Sequence, residues 1–256
     1  MNGLLLEVRG LSLRFGGIVA LDSVSFAIEA GQVCGLIGPN GAGKTTLFNC
    51  ISRIYAPQRG DIAFCGRSLL DMPRHAVAGL GIGRTFQNVA LFGSMSVRRN
   101  VLVGAHCRRR GGYLSDLLRL PGVRAEESRL AERVESLLAF HGLDDVADAP
   151  VDELPFGTRK RVELARALAG EPRLLLLDEP AGGLNHAEVE DLRGMILRLR
   201  DTFGMTVLLV EHHLNLVMRV SDKVVALDFG RKIADGRPED VQANPDVARA
   251  YLGTAA

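Results

Sequence analysis

The stretch that most constrains this chain is a glycine-rich loop at residues 38–46, which ends in a lysine and two threonines. It reads Gly38, Pro39, Asn40, Gly41, Ala42, Gly43, Lys44, Thr45, Thr46 and fits the P-loop pattern G-x-x-x-x-G-K-[ST]. Residues 32–37 have the pattern of a short buried strand, and residues 44–52 that of a helix start. Glycines let backbone N–H groups turn inward and a helix N-terminus favours negative charge, so such a loop cradles phosphates. The sequence therefore predicts a site for a nucleoside triphosphate.

Two side chains of the loop have predicted roles. Lys44 is expected to reach the β- and γ-phosphates, and the Thr45 hydroxyl to ligate Mg²⁺. The alternative is a glycine-rich turn that merely precedes a helix. It is disfavoured because strand, loop, Lys-Thr pair and helix are all in register.

Composition narrows the class of protein. The 256 residues suit one large α/β domain or a core with a smaller lobe. Lys and Arg number 31 against 30 Asp and Glu, so bulk charge does not indicate a nucleic-acid partner. The four cysteines form no C-x-x-C pair, which is typical of core thiols in a reducing compartment. No apolar stretch approaches the ~20 residues of a membrane helix. We therefore expect a cytoplasmic protein that meets a membrane only through a partner.

The N-terminal part predicts a small antiparallel sheet, because residues 4–14 and 24–28 alternate apolar and polar side chains. Between these strands Phe15 stands beside two glycines, just upstream of the P-loop. An exposed ring there can stack on an adenine, whereas a buried ring would plug the space between strands. The local sequence leaves both interpretations open.

Residues 96–153 indicate a helical lobe inserted into the α/β core. Residues 124–140 have a period of 3.6, with Leu130, Val134, Leu137 and Leu138 on one face. The arginines at 108–110 favour a solvated loop over contact with lipid or RNA. Residues 113–121 form an amphipathic piece that either contacts a partner or packs on its own lobe.

Two acids follow a strongly apolar strand at residues 174–177, four consecutive leucines. Ligands of open parallel sheets bind beyond the strand C-termini, so Asp178 and Glu179 are predicted to face the P-loop's ligand. Asp178 is expected to hold Mg²⁺ directly or through water. Glu179 is expected to polarise a water for in-line attack on the γ-phosphate.

Gln87 lies at the end of a short strand predicted at residues 81–88, and His212 comes just after a strand predicted at 205–210. Gln87 can ligate Mg²⁺ or the attacking water, and His212 can donate to a γ-phosphate oxygen. A lone glutamine is usually an ordinary surface amide, whereas for His212 a structural surface histidine is an equally good interpretation.

The order of P-loop, strand-end Gln, glycine-containing helix opener, strand-Asp-Glu and strand-end His resembles the ATP-binding-cassette (ABC) ATPases over essentially the whole chain. The resemblance implies an α/β fold of the P-loop NTPase type. Its parts are a RecA-like parallel sheet core, an N-terminal antiparallel β subdomain and an inserted α-helical subdomain. It implies one domain over 1–256, with 1–95 and 159–256 forming the core and 96–158 the helical subdomain that carries the signature segment.

The same resemblance assigns roles to the site residues. Phe15 becomes the adenine-stacking aromatic, Gln87 the Q-loop glutamine, residues 181–185 the D-loop, and His212 the switch histidine. The expected catalytic residues are Lys44, Gln87, Glu179 and His212, and the expected Mg²⁺ ligands Thr45, Gln87 and Asp178. Nucleotide contacts are expected from Phe15, from residues 38–46 and from the signature segment, Leu154, Pro155, Phe156 and Gly157.

Finer features are similar to the ATP-binding subunits of branched-chain amino acid importers, in particular the longer of that system's two ATPases. They are residues 83–87, the insertion at 107–122, the signature segment, residues 211–218 and the end at 244–253. The implied partners are a second ATPase, more plausibly a different chain than a second copy, two transmembrane permeases and, indirectly, a substrate-binding protein, with no nucleic acid. The implied location is the cytoplasmic face of the inner membrane, peripherally bound. An exporter ATPase for lipid or lipopolysaccharide, or a non-transport ABC ATPase, remains the alternative.

The chain departs from the family pattern in its signature. A typical segment has Ser-Gly-Gly-Gln after the leucine, and here Pro155, Phe156, Gly157 and Thr158 follow it. The serine hydroxyl expected to contact the opposite subunit's γ-phosphate is missing, which leaves the Gly157 N–H and the helix start. Asn185 in the D-loop and His213 after the switch histidine are milder departures.

Overall fold

A computed structural model describes residues 3–87, 89–108 and 121–252, without the side chains of 108 and 121–124. Its strands are β1 (Leu4–Phe15), β2 (Ile18–Glu29), β3 (Val33–Ile37), β4 (Arg59–Phe64), β5 (Arg67–Ser68), β6 (Ile82–Arg84), β7 (Leu174–Asp178), β8 (Thr206–Val210), β9 (Lys223–Asp228) and β10 (Arg231–Gly236). Its α-helices are α1 (Lys44–Ile51), α2 (Ala76–Gly79), α3 (Val97–Gly104), α4 (Pro121–Phe140), α5 (Phe156–Ala169), α6 (His186–Phe203), α7 (Leu214–Val220), α8 (Pro238–Gln242) and α9 (Pro245–Leu252). Short 3₁₀ turns lie at Ala105–Arg108, Asp144–Val146 and Val151–Glu153.

The centre is a six-stranded sheet in the order β10-β9-β3-β8-β7-β6. Its strands pair in parallel except β10, which runs antiparallel to β9. Every residue of β3, β7 and β8 is buried, as expected for strands covered on both faces. This confirms the predicted α/β fold class with a parallel core.

The two faces of this sheet enter different hydrophobic cores, because successive side chains of a strand point to opposite faces. In β7, Leu174 and Leu176 belong to the core formed with α1 and the antiparallel sheet. Leu175 and Leu177 belong to the core formed with helices α3 to α9. Burying a leucine fully contributes roughly 1.5–3 kcal/mol, so the four leucines are a major anchor of the site's central strand.

The second sheet is antiparallel, in the order β2-β1-β4-β5. Val8 lies opposite Phe26 on one side and Ile62 on the other, so the predicted alternation of β1 buries one face. β2 begins at Ile18, six residues before the predicted strand, because Leu13 and Phe15 of β1 pair with Leu21 and Ile18.

Helices α3, α4 and α5 pack against one another. Val134, Leu137 and Leu138 of α4 are buried and Leu130 is half-buried, which confirms the predicted apolar face. Ser96 caps α3 by accepting a hydrogen bond from the Arg99 N–H at 3.3 Å. The predictions for residues 109–120 lie outside the described residues, and the division into subdomains stays a prediction.

Three further element boundaries differ from the sequence predictions. The helix expected from residue 71 is only the short Ala76–Gly79. The strand expected over 81–88 ends at Arg84, so Gln87 stands three residues beyond its tip. The helical tail is two helices, because the Asn244 side chain accepts the Asp246 N–H at 2.8 Å and opens a new helix at Pro245. Among the described residues, no helix has the length and apolarity needed to cross a bilayer.

Candidate functional site

The site lies where the parallel strands end. β3, β8 and β7 are neighbours that run in the same direction, so their C-terminal tips share one edge of the sheet. β3 leads into the loop 38–43, β7 ends at Asp178, and β8 leads to Glu211 and His212. The fold therefore gathers segments that are far apart in the chain, as doubly wound sheets do at their ligand edge.

The backbone of the loop requires glycine at two points. Gly38 has φ +149°, and a Cβ there would lie 2.2 Å from the Leu227 carbonyl oxygen. Gly43 has φ +101°, and a Cβ there would lie 2.5 Å from the Ala20 carbonyl oxygen. Gly43 immediately precedes α1 and has no side chain to cap it, so the first N–H groups of α1 remain for an anion.

Lys44 is held by its own loop. Its Nζ donates to the Gly38 carbonyl at 2.7 Å and to the Pro39 carbonyl at 2.9 Å, and the residue is 5% exposed. Burial lowers the pKa of Lys44, whereas the charges of Glu179 and Asp178 act to raise it. The ammonium thus lies at the loop beside two carboxylates, with Thr45 exposed next to it.

Glu179 contacts two of the other predicted catalytic residues, Gln87 and His212. The Gln87 Nε2 donates to its Oε2 at 2.7 Å, and the His212 Nε2 lies 2.6 Å from its Oε1. Glu179 has φ 48°, a left-handed conformation that is uncommon for a residue with a side chain and clusters at functional sites. The structure therefore places Gln87, Glu179 and His212 in one contact cluster, and their catalytic roles stay a prediction.

Arg84 is a site residue that the sequence analysis missed. Its Nη2 donates to Asp178 Oδ2 at 2.8 Å, and both side chains are at least nine-tenths buried. Its Nη1 donates to Asn49 Oδ1 at 2.9 Å and Ser52 Oγ at 3.0 Å, which ties β6 and β7 to α1. One oxygen of Asp178 is thus engaged, which leaves Oδ1 for a metal ion or its water. The available signal was a cation in the short strand predicted at residues 81–88, and its position beside β7 is known only from the structure.

Glu211 is the second missed residue. It is 1% exposed, and its Oε1 accepts the Ala181 N–H at 2.6 Å. Its Oε2 accepts the N–H groups of His212 at 2.9 Å and His213 at 3.3 Å. One carboxylate therefore fixes the start of the 181–185 segment relative to His212. Its signal was an acid directly after a buried strand, the same feature that singled out Asp178.

Phe15 is 44% exposed, which rules out the buried plug. Its ring meets Tyr55 edge to face, with centroids 5.2 Å apart. The ring is therefore partly accessible to solvent and held by Tyr55, and the adenine contact stays a prediction.

The segment Leu154–Gly157 lies against residues 181–185 of its own chain. A Cβ on Gly183 would stand 2.8 Å from the Phe156 ring, so the two are in close contact. Asn185 caps α6: its side chain accepts the Glu188 N–H at 3.0 Å, and Glu188 Oε2 accepts the Asn185 N–H at 2.8 Å. A short polar acceptor is what this position requires, and Asn supplies it as Asp would. Within the described residues, no hydrogen bond or ion pair joins 154–157 to the loop 38–46.

Comparison with known proteins decides the family. Residues 21–182 match the family model described as ABC transporter. The chain belongs to the ABC transporter family. A second model, described as Branched-chain amino acid ATP-binding cassette transporter, matches residues 231–256. The predicted family membership is therefore confirmed.

Individual relatives of this ABC protein align with it over their full length. It is 43% identical over 255 residues to BraF of Pseudomonas aeruginosa and 41% identical to LivG of Escherichia coli K12, with 100% of each chain covered. Both are named high-affinity branched-chain amino acid transport ATP-binding proteins. Among solved structures, the ADP conformation of the ABC transporter cassette MJ1267 matches with TM-score 0.85 and 31% identity, covering 98% of this chain and 99% of that one. A nucleotide-free ABC transporter cassette matches with TM-score 0.84 and 30% identity, covering 97% and 99%.

Proposed function

We propose that this chain is the ATP-hydrolysing motor subunit of an importer for branched-chain or similar hydrophobic amino acids. The observation that carries the proposal is the Gln87–Glu179–His212 cluster at the strand edge beside the P-loop. The amino acid assignment is supported by the names of BraF and LivG and by the family match at residues 231–256.

In this proposal the reaction is ATP plus water giving ADP and phosphate. Backbone N–H groups of residues 38–46 hold the phosphates, and Lys44 leaves the carbonyls of Gly38 and Pro39 for the β- and γ-phosphate oxygens. Glu179 accepts the proton of the attacking water as the γ-phosphorus–oxygen bond to ADP breaks. Two side chains fix the orientation of the Glu179 carboxylate. His212 contacts its Oε1, and Gln87 donates to its Oε2. Catalysis is mostly positioning and charge stabilisation, as in other P-loop enzymes.

The residues present suit Mg²⁺. Thr45, Gln87 and Asp178 offer a hydroxyl, an amide and a carboxylate oxygen, the hard oxygen ligands that this ion takes. The amide nitrogen of Gln87 and Oδ2 of Asp178 are engaged by Glu179 and Arg84, which directs the remaining oxygen of each side chain toward such a role. The ion would neutralise charge between the β- and γ-phosphates.

A second ATPase would complete the site, since Leu154–Gly157 is separate from the P-loop of its own chain. Phe156 is exposed and Gly157 half-buried at the start of α5, so the helix N-terminus can face another subunit's γ-phosphate. The proposed assembly has a second, different ATPase, two transmembrane permeases and an external substrate-binding protein. It works at the cytoplasmic face of the inner membrane, with 96–158 as the helical subdomain.

The experiment is reconstitution in proteoliposomes with the permeases, the second ATPase and the binding protein. ATP turnover is expected to rise when leucine-loaded binding protein is added outside, and leucine is expected to accumulate inside. Turnover that responds to lipid or lipopolysaccharide instead would favour the exporter alternative and refute the amino acid assignment. Copurification of nucleic acid with the native chain would favour a non-transport ATPase.

A further inference from the structure

The last described helix reaches the P-loop. The Gly38 N–H donates to the Tyr251 hydroxyl oxygen at 2.8 Å, a contact between residues 213 positions apart. Tyr251 lies in α9, within the segment 231–256 that matches the branched-chain family model. None of the residues assigned to the site above comes from this segment.

Both backbone groups of Gly38 are hydrogen-bonded to side chains. Its N–H bonds Tyr251, and its carbonyl accepts Lys44 Nζ at 2.7 Å. The Leu227 carbonyl oxygen of β9 occupies the space that a Cβ on Gly38 would need, 2.2 Å away. In the proposed reaction Lys44 turns to a phosphate, so the Gly38 carbonyl would lose this contact and the Gly38 N–H would keep Tyr251. The hydroxyl is then the hydrogen-bond partner that keeps this peptide in place.

We propose that Tyr251 is a positioning residue for the nucleotide: its hydroxyl holds the first glycine of the P-loop in the conformation that binds ATP. The proposal rests on the proposed function for the identity of the ligand. It makes the C-terminal helix a contributor to nucleotide affinity, in addition to its packing on the core.

The helix is docked by contacts that are separate from the hydroxyl. Val247 is buried in the same hydrophobic core as Leu175 and Leu177 of β7, and Tyr251 packs against that core. Burial raises the pKa of Tyr251, and the Gly38 hydrogen bond acts to lower it, so the hydroxyl stays neutral at physiological pH. A neutral hydroxyl oxygen has lone pairs for the Gly38 N–H.

This separation provides a matched pair of variants. Tyr251→Phe keeps the ring and its packing but removes the acceptor of the Gly38 N–H. Val247→Ala keeps the hydroxyl but removes packing under the same helix. Titration calorimetry of the purified full-length chain with ATP, with and without Mg²⁺, measures the affinity of each variant. Thermal melting without nucleotide measures its stability.

Tyr251→Phe is expected to weaken ATP binding by about fivefold or more, because a partly buried N–H loses its partner. In the reconstituted transporter its KM for ATP is expected to rise with kcat unchanged. Val247→Ala is expected to lower the melting temperature and leave ATP affinity unchanged. ATP affinity of Tyr251→Phe within twofold of native, or equal losses in both variants, would overturn the proposal. Absence of ATP binding by the native chain would overturn the proposed function as well.

Discussion

The buried pair Arg84–Asp178 allows a quantitative test of how the site is held together. Arg84→Met keeps most of the aliphatic stem and removes the guanidinium group that bonds Asp178, Asn49 and Ser52. The Asp178 side chain, 4% exposed, then becomes a buried carboxylate that has lost its ion-pair partner. Breaking a buried ion pair in this way costs about 3–5 kcal/mol, because the remaining charge is neither solvated nor paired.

The assay is urea unfolding of the nucleotide-free chain, followed by circular dichroism. The expected loss of about 3–5 kcal/mol in the free energy of unfolding would also appear in a thermal melt. It corresponds there to a fall of about 6–20 °C in melting temperature, at roughly 2–4 °C per kcal/mol for a chain of this size. Adding Asp178→Asn to Arg84→Met is expected to recover much of the loss, since no unpaired charge remains. The matched control is Arg231→Met, which breaks the exposed pair with Asp22 and is expected to cost under about 1 kcal/mol.

Two outcomes would refute this reasoning. A loss of stability in Arg84→Met no larger than that in Arg231→Met would show that the buried ion pair contributes no more than the exposed one. A double variant as unstable as the single one would show that the cost does not come from the unpaired Asp178.

Two further predictions concern other buried groups. Glu211→Gln leaves at least one of the three backbone N–H donors facing an amide NH₂ group. We therefore expect a loss of about 1–3 kcal/mol in the free energy of unfolding, and slower single-turnover hydrolysis. Native values of both quantities would contradict the role of Glu211. Burial, aided by the charges of Arg198 and Arg161, lowers the pKa of His141 from 6.5 to about 4. The unfolded chain therefore binds more protons below pH 6.5, and stability falls as pH drops from about 6.5 to about 4. His141→Leu is expected to flatten this slope in thermal melts, and a slope that survives the substitution would contradict the assignment.

Local patterns were sufficient to predict much of the framework. The four leucines before Asp178 predicted a buried strand, and the glycine pattern at 38–46 predicted the turn between β3 and α1. Both follow from short-range physics, since burial on two faces demands a continuous apolar run and a tight loop demands positive φ.

Contacts made by tertiary proximity were not predictable in the same way. Arg84 and Asp178 are 94 residues apart, and Gly38 and Tyr251 are 213 apart, so no local period connects them. The cap at Asn185 is different: its partner Glu188 is three residues away, and the capping-box spacing was readable from the sequence. The boundary at Arg84 was missed because β6 is only three residues long and pairs only at its partner's start and middle.

The most direct test of the central account is Glu179→Gln in the assembled transporter, with Glu239→Gln on the exposed side of α8 as its control. The account predicts that Glu179→Gln binds ATP and Mg²⁺ like the native protein but hydrolyses ATP at least about a hundredfold more slowly, since general-base catalysis contributes 10²–10⁴-fold. Glu239→Gln is expected to hydrolyse at the native rate. Native turnover by Glu179→Gln, with its partners present, would contradict the account, because water activation would then not depend on Glu179.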